Sequence, residues 1–222
     1  MVLQNFIVLE GIDGAGTSTQ LNILKDRCDF INLSKDDVYF TAEPTTFSTG
    51  KFIRQVLKGD IPLKPESIAY LFSADRNEHV NGKLLREDRT LITGISEACN
   101  NKKLVISDRY FFSSLAYQSI ECGWDLPYKL NKDFPLPQIL FYFEINPEES
   151  LKRITGRGVT EIYEKVDFLK KTVDQYHKTL EFYKKQENND GMKIVIIDAT
   201  KNKEEISEII WNEIKNLPII QG

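Results

Sequence analysis

Five short runs along the chain are apolar, β-branched or aromatic at nearly every position: Phe6–Leu9, Val38–Thr41, Leu104–Ser107, Ile139–Glu144 and Ile194–Ile197. Unbroken apolarity over four to six residues is the pattern of strands covered on both faces, rather than of a sheet with one wet side. Between the runs, apolar residues recur at helical spacing: from Thr19, from Ser67 to about Lys83, from Arg89 to Asn100, from about Glu161 to Lys185, and from Lys203 to Asn216. A further helix announces its own start. In "INPEESLKRI", Asn146 suits the N-cap, Pro147 the first helical position, and Glu148 and Glu149 the positive helix end, while Gly156 and Gly158 stop it. Strands alternating with helices predict βαβ units, hence an α/β fold with a parallel sheet and helices on both faces.

Bulk composition narrows the picture only a little. A chain of 222 residues suits one domain with a substantial core, spanning 1–222 without a linker or internal repeat. Net charge is −4 and the pI near 5.4, which argues against nucleic acid as the main partner. No apolar stretch approaches a membrane span and the N-terminus lacks a cationic leader, so no membrane and a cytoplasmic setting are expected. Cys28, Cys99 and Cys122 are unevenly spaced and without a C-x-x-C pair, as reduced thiols would be.

Three stretches carry chemistry. "GIDGAGTST", residues 11–19, joins a strand to a helix and places Gly11, Gly16 and Ser18 where a phosphate-binding G-x-x-x-x-G-K-[ST] loop has them. Its amides would cradle phosphate oxygens and its Ser18 hydroxyl would reach Mg²⁺. The lysine position holds Thr17. In "LVISDRYFFSSLAYQ", a buried strand ends at Asp108, a carboxylate placed to hold Mg²⁺, with Arg109 next to grip a phosphate; alone, a capping aspartate and a surface arginine are the simpler reading. In "LFSADR", Phe72 and Arg76 share a helix face and would suit a nucleobase, although on that spacing alone a core phenylalanine and a solvated arginine are the commoner reading.

Taken in order, "GIDGAG", "EPTT", "LFSADR", "SDRYFFSSLAYQ", "SLKRITGRG" and "IDAT" resemble the thymidylate kinase family over nearly the whole chain. The resemblance implies a P-loop kinase fold with a five-stranded parallel sheet, a short lid at about 153–165, a homodimer, and transfer of the γ-phosphoryl group of ATP to dTMP with Mg²⁺. It implies that Gly11, Ile12, Asp13, Gly14, Ala15, Gly16, Thr17, Ser18 and Thr19 hold ATP, with Asp198 and Ala199 near the adenine. On the dTMP side it implies Asp13, Glu43, Phe72, Arg76, Arg109, Ser114, Tyr117 and Gln118, and for the metal Ser18 and Asp108. Asp13 and Arg109 would be catalytic. Family members often carry arginine where this chain has Ala42, and a lid arginine where it reads Glu161 to Glu164. With Thr17 neutral, the missing charge is expected from Arg153 or Arg157. Two alternatives stand beside this reading: a catalytically degenerate nucleotide-binding relative with a regulatory or interaction role, and a kinase for another nucleoside monophosphate.

Overall fold

In the computed structural model of the chain, residues 1–30, 33, 37–85, 91–155, 162–163 and 165–221 are described. β1 (Val2–Gly11) leads through the glycine loop into α1 (Thr17–Phe30), followed by β2 (Val38–Ala42), α2 (Ser48–Leu57) and α3 (Pro65–Asn81). A hairpin of β3 (Lys83–Leu85) and β4 (Leu91–Thr93) precedes α4 (Ile95–Asn100) and β5 (Leu104–Asp108). Three short helices follow, α5 (Phe111–Tyr117), α6 (Ser119–Cys122) and α7 (Asp125–Asn131), and then β6 (Leu136–Glu144) and α8 (Pro147–Ile154). The chain closes with α9 (Val166–Lys184), α10 (Gln186–Asn189), β7 (Lys193–Asp198), α11 (Lys203–Ile214) and α12 (Pro218–Gln221).

The main sheet has the order β2-β5-β1-β6-β7, and every pairing in it is parallel. All five predicted runs lie in it. The chain leaves β1 toward β2 and β5 on one side and reaches β6 and β7 on the other. The crevice at the C-terminal ends of β1 and β5 is therefore a topological switch point, where such sheets bind ligands. Phe6, Ile7, Val8 and Leu9 of β1 are fully buried, as are Leu104, Val105 and Ile106 of β5, which fixes those ends rigidly.

Two expectations need correction. The segment expected as helix from Arg89 is a strand over Leu91–Thr93, and helix begins only at Ile95; Arg89 itself lies outside the described residues. The β-branched Ile92 and Thr93 pair with β3, and Gly94 passes so close to Val80 and Gly82 that a Cβ would meet their carbonyls at 2.6 and 2.9 Å. The helix expected from Glu161 starts at Val166, because the Ile162 amide is donated to the Leu57 carbonyl of α2 (3.0 Å) and Lys165 is extended. Asn146 caps α8 as its sequence announced, accepting from the Glu148 amide at 2.9 Å.

Candidate active site

The glycine loop folds around two residues with positive φ, Gly14 (82°) and Gly16 (98°). At Gly14 a Cβ would stand 2.6 Å from the Ser150 carbonyl of α8, so glycine is required twice over. The Ser150 hydroxyl donates to the Asp13 carbonyl and pins the loop to α8. At the loop's end, the Ser18 hydroxyl donates to Asp108 Oδ2 on β5. Asp108 Oδ1 is buried and has no partner among the described residues. A hydroxyl and a spare carboxylate oxygen side by side fit a divalent cation. Among the described residues no group of three His, Cys, Asp or Glu gathers at one point, so such an ion would complete its shell with phosphate and water.

Arg109 sits in the left-handed region (φ 71°), a conformation that costs about 1–2 kcal/mol for a residue with a side chain. Its amide donates to the Leu9 carbonyl (2.8 Å), turning the chain back over β1. Its guanidinium then meets Asp13 Oδ1 (2.6 Å), the Gly11 carbonyl (2.7 Å) and Ser113 Oγ (3.2 Å). Burial works against the Arg109 charge, but Tyr117, Asp13, Tyr176 and Asp108 more than offset it and hold its pKa well above the ordinary value. Tyr117 donates to Asp13 Oδ2 (3.1 Å) and accepts from the Asp13 amide (3.2 Å).

Arg76 does not point into solvent. It is 1% exposed and held by Glu43 (2.8 Å from Nε), by Asn131 and by Ser114 Oγ (3.2 Å). Glu43 in turn meets His79 Nδ1 at 2.9 Å, and His79 Nε2 lies 2.6 Å from Thr41 Oγ1, so the guanidinium is fixed before any ligand arrives. Asp75 accepts from the Thr45 amide and hydroxyl (2.7 and 2.6 Å) and braces the same turn.

These side chains converge on one cavity of about 280 Å³, lined among others by Asp13, Ser18, Glu43, Phe72, Arg76 and Asp108, with Arg109, Tyr117 and Gln118. Ser114 is 2% exposed and stands behind Arg76; its neighbour Ser113 takes the place on the wall. Sequence reasoning missed several lining residues, Arg54 and Tyr163 among them. Arg54 reaches the Pro44 carbonyl from α2, because Gly50 lets that helix ride on Thr45, where a Cβ would stand 2.0 Å from its carbonyl. Tyr163 lies flat on Phe168 (centroids 4.7 Å apart, 16°) and 5.7 Å from Tyr117. The glycine before the Arg54 turn was a usable signal; nothing local marks Tyr163.

A second hollow beside the glycine loop is lined by Gly14, Ala15, Gly16 and Thr19, with Arg153, Ala199, Lys201 and Lys203. Arg153 donates to the Ala199 carbonyl (3.0 Å) and pairs with Glu149 (3.2 Å). Asp198 is exposed and turned to Thr200, which accounts for its lowered pKa. Ile12 and Thr17 are buried, at 1% and 6% exposure. Arg157 lies outside the described residues. Lys201 and Lys203 are cations that the sequence reading left unassigned.

Comparison with known proteins bears on the family and the fold. A family model described as thymidylate kinase matches residues 9–210. A protein of Treponema pallidum (strain Nichols), provisionally named a thymidylate kinase, is 38% identical over 215 residues, covering 96% of each chain. A Methanocaldococcus jannaschii protein, named in the same provisional way, is 36% identical over 221 residues, covering 98% of this chain and 100% of its own. Among solved structures, thymidylate kinase from Candida albicans superposes with a TM-score of 0.73 over 96% of this chain and 92% of its own; at 24% identity that likeness speaks for the fold. With nearly its whole length matched by the family model and by relatives above 30% identity, this chain belongs to the thymidylate kinase family.

Proposed function

We infer that this chain transfers the γ-phosphoryl group of ATP to dTMP, releasing ADP and dTDP. The observation that carries this reading is the single cavity in which a ring and a pre-set guanidinium (Phe72, Arg76) share walls with Arg109, Asp13 and Asp108 at the glycine loop. Phe72 stacks on the base and Arg76, held by Glu43 and Asn131, faces a base carbonyl. Ser114 acts on the base through Arg76, and Gln118 and Tyr163 close the wall around it. Tyr117 lies against the deoxyribose and crowds a 2′-hydroxyl. Arg109 and Arg54 bind the acceptor phosphate, and Asp13 orients it toward ATP.

On the donor side, the amides from Gly11 to Thr19 hold the ATP phosphates, while Arg153 and Ala199 lie toward the adenine with Lys201 and Lys203. Ser18 and Asp108 would hold Mg²⁺, which when bound neutralises charge on the β- and γ-phosphates. In place of a loop lysine, positive charge comes from Arg153 or Arg157 when the lid, about 153–165, closes. We propose that the chain acts as one domain and as a homodimer. Three free cysteines support a cytoplasmic setting.

The test is ADP release with ATP, Mg²⁺ and dTMP, dUMP, dCMP or thymidine as acceptor. Turnover should be fastest with dTMP and negligible with thymidine, which offers Arg109 no phosphate. A preference for thymidine over dTMP would sink the reading.

A further inference from the structure

Glu10 belongs to none of the groups just assigned. It does not line the cavity, it is fully buried, and yet it gathers four hydrogen bonds. Oε1 accepts from the backbone amides of Tyr110 (2.8 Å) and Ser113 (3.2 Å), at the start of α5. Oε2 accepts from the hydroxyls of Ser113 (2.6 Å) and Tyr176 (2.8 Å). The amide partners follow directly on the left-handed Arg109, and α5 has no side-chain cap of its own. Ser113 Oγ also accepts from Arg109 Nη1. One carboxylate thus holds Arg109 from both ends, its backbone through Tyr110 and its guanidinium through Ser113. Tyr176 comes from α9, and its hydroxyl also approaches the Gly11 carbonyl (3.3 Å), itself a partner of Arg109.

A helix start is commonly capped by a serine, threonine, asparagine or aspartate at the N-cap. A buried carboxyl delivered from a neighbouring strand is a costly substitute unless its charge is used. We propose that Glu10 is a positioning residue for phosphoryl transfer: through Tyr110, Ser113 and Tyr176 it fixes Arg109 against Asp13 and Gly11 and ties that geometry to α9. The proposal rests on the reading of Arg109 as the acceptor-phosphate ligand.

Burial pushes the Glu10 carboxyl from 4.5 up to about 7, although Arg109, Ser113, Tyr176 and the Tyr110 amide pull it down. The other titratable groups facing it are Arg109 from the turn after β5, Tyr110 beside it, Tyr176 from α9 and Tyr142 from β6. All four have pKa values raised further above neutrality, so within this cluster Glu10 alone changes charge near pH 7.

The experiment is steady-state kinetics of the wild type, Glu10→Gln and Tyr176→Phe with dTMP and ATP, from about pH 6 to about pH 9, with thermal melts on the same samples. In the wild type, kcat should fall on the acid side through one ionisation near pH 7. Glu10→Gln should lower kcat at least about fivefold at high pH and lose that limb, with the ATP KM changed less than about twofold. A limb from the dTMP phosphate itself, near about pH 6, stays in both proteins. Tyr176→Phe should keep the Glu10 limb and lower kcat at least about threefold. A purely structural Glu10 would lower the melting temperature and leave kcat and the limb in place; that result overturns the proposal. Should Glu10→Gln fail to fold, Tyr176→Phe decides, and a wild-type kcat there overturns it as well. A wild type inert toward dTMP would instead defeat the functional reading itself.

Discussion

Replacing Glu10 by Gln should change the stability of the fold in a way that depends on pH. The folded-state carboxyl, at about 7 against 4.5, holds its proton over a window in which the unfolded chain has already released it. In that window the folded state binds more protons, so the free energy of unfolding falls as pH rises from about 4.5 to about 7. Below the window both states are protonated and above it both are ionised, and the contribution is flat. At about 1.4 kcal/mol for each pH decade, the span comes to about 3 kcal/mol, a large part of a typical domain's margin. Glutamine keeps the shape and the acceptor oxygen and does not titrate. Urea unfolding of both proteins at about pH 5 and about pH 8 isolates the effect, since every other group titrates alike in the two. The wild type should lose about 2–3 kcal/mol relative to the variant between those pH values. Parallel stability curves would show that Glu10 ionises normally in the fold and refute the reasoning.

Three further outcomes are expected at the site. Phe72→Ala should raise the dTMP KM by about fivefold or more, from a lost stacking contribution of about 1–3 kcal/mol, and leave the ATP KM nearly unchanged; equal effects on both substrates would misplace the ring. Arg109→Ala should damage both kcat and the dTMP KM, because the same guanidinium binds the phosphate and sets its line of attack; kinetics with a changed KM alone would contradict that dual role. Arg153→Ala should lower kcat at least about tenfold if this residue supplies the charge that Thr17 lacks; a change within about twofold, matched by Arg157→Ala, would refute compensation by the lid.

Much of the fold was legible because its signal is local. β1, β5 and β6 are buried over most of their length and announce themselves as apolar runs, and Asn146–Pro147 writes a helix start into two residues; the outer strands β2 and β7 were expected to be covered on both faces and are only partly so, since each has a neighbour on one side alone. The β3–β4 hairpin was not legible, since Ile92 and Thr93 also fit a helical spacing until Gly82 and Gly94 are seen to meet. The helices from Phe111 to Asn131 are only 7, 4 and 7 residues long, too few turns for a helical period to show. At the site, Asp13, Phe72, Arg76, Arg109 and Tyr117 were readable as parts of motifs, and they share one cavity. Tyr163 and Glu10 were not, because their partners lie far along the chain: Tyr163 reaches Tyr117, and Glu10 reaches Ser113 and Tyr176. Arg54 was overlooked although its partner, the Pro44 carbonyl, lies only ten residues away. Ser114 meets Arg76 behind the cavity wall, because the helix turns its neighbour Ser113 to the cavity and Ser114 toward Arg76.

The glycine loop without its lysine leaves one question that a single-turnover experiment answers. The protein, in excess over ATP labelled at the γ-phosphoryl group, is mixed with Mg²⁺ and dTMP and quenched over time. The label should move from ATP to dTDP until the limiting nucleotide is consumed, despite the neutral Thr17. Label that stays in ATP while dTMP binds to the cavity would mean a nucleotide-binding protein that no longer transfers phosphate.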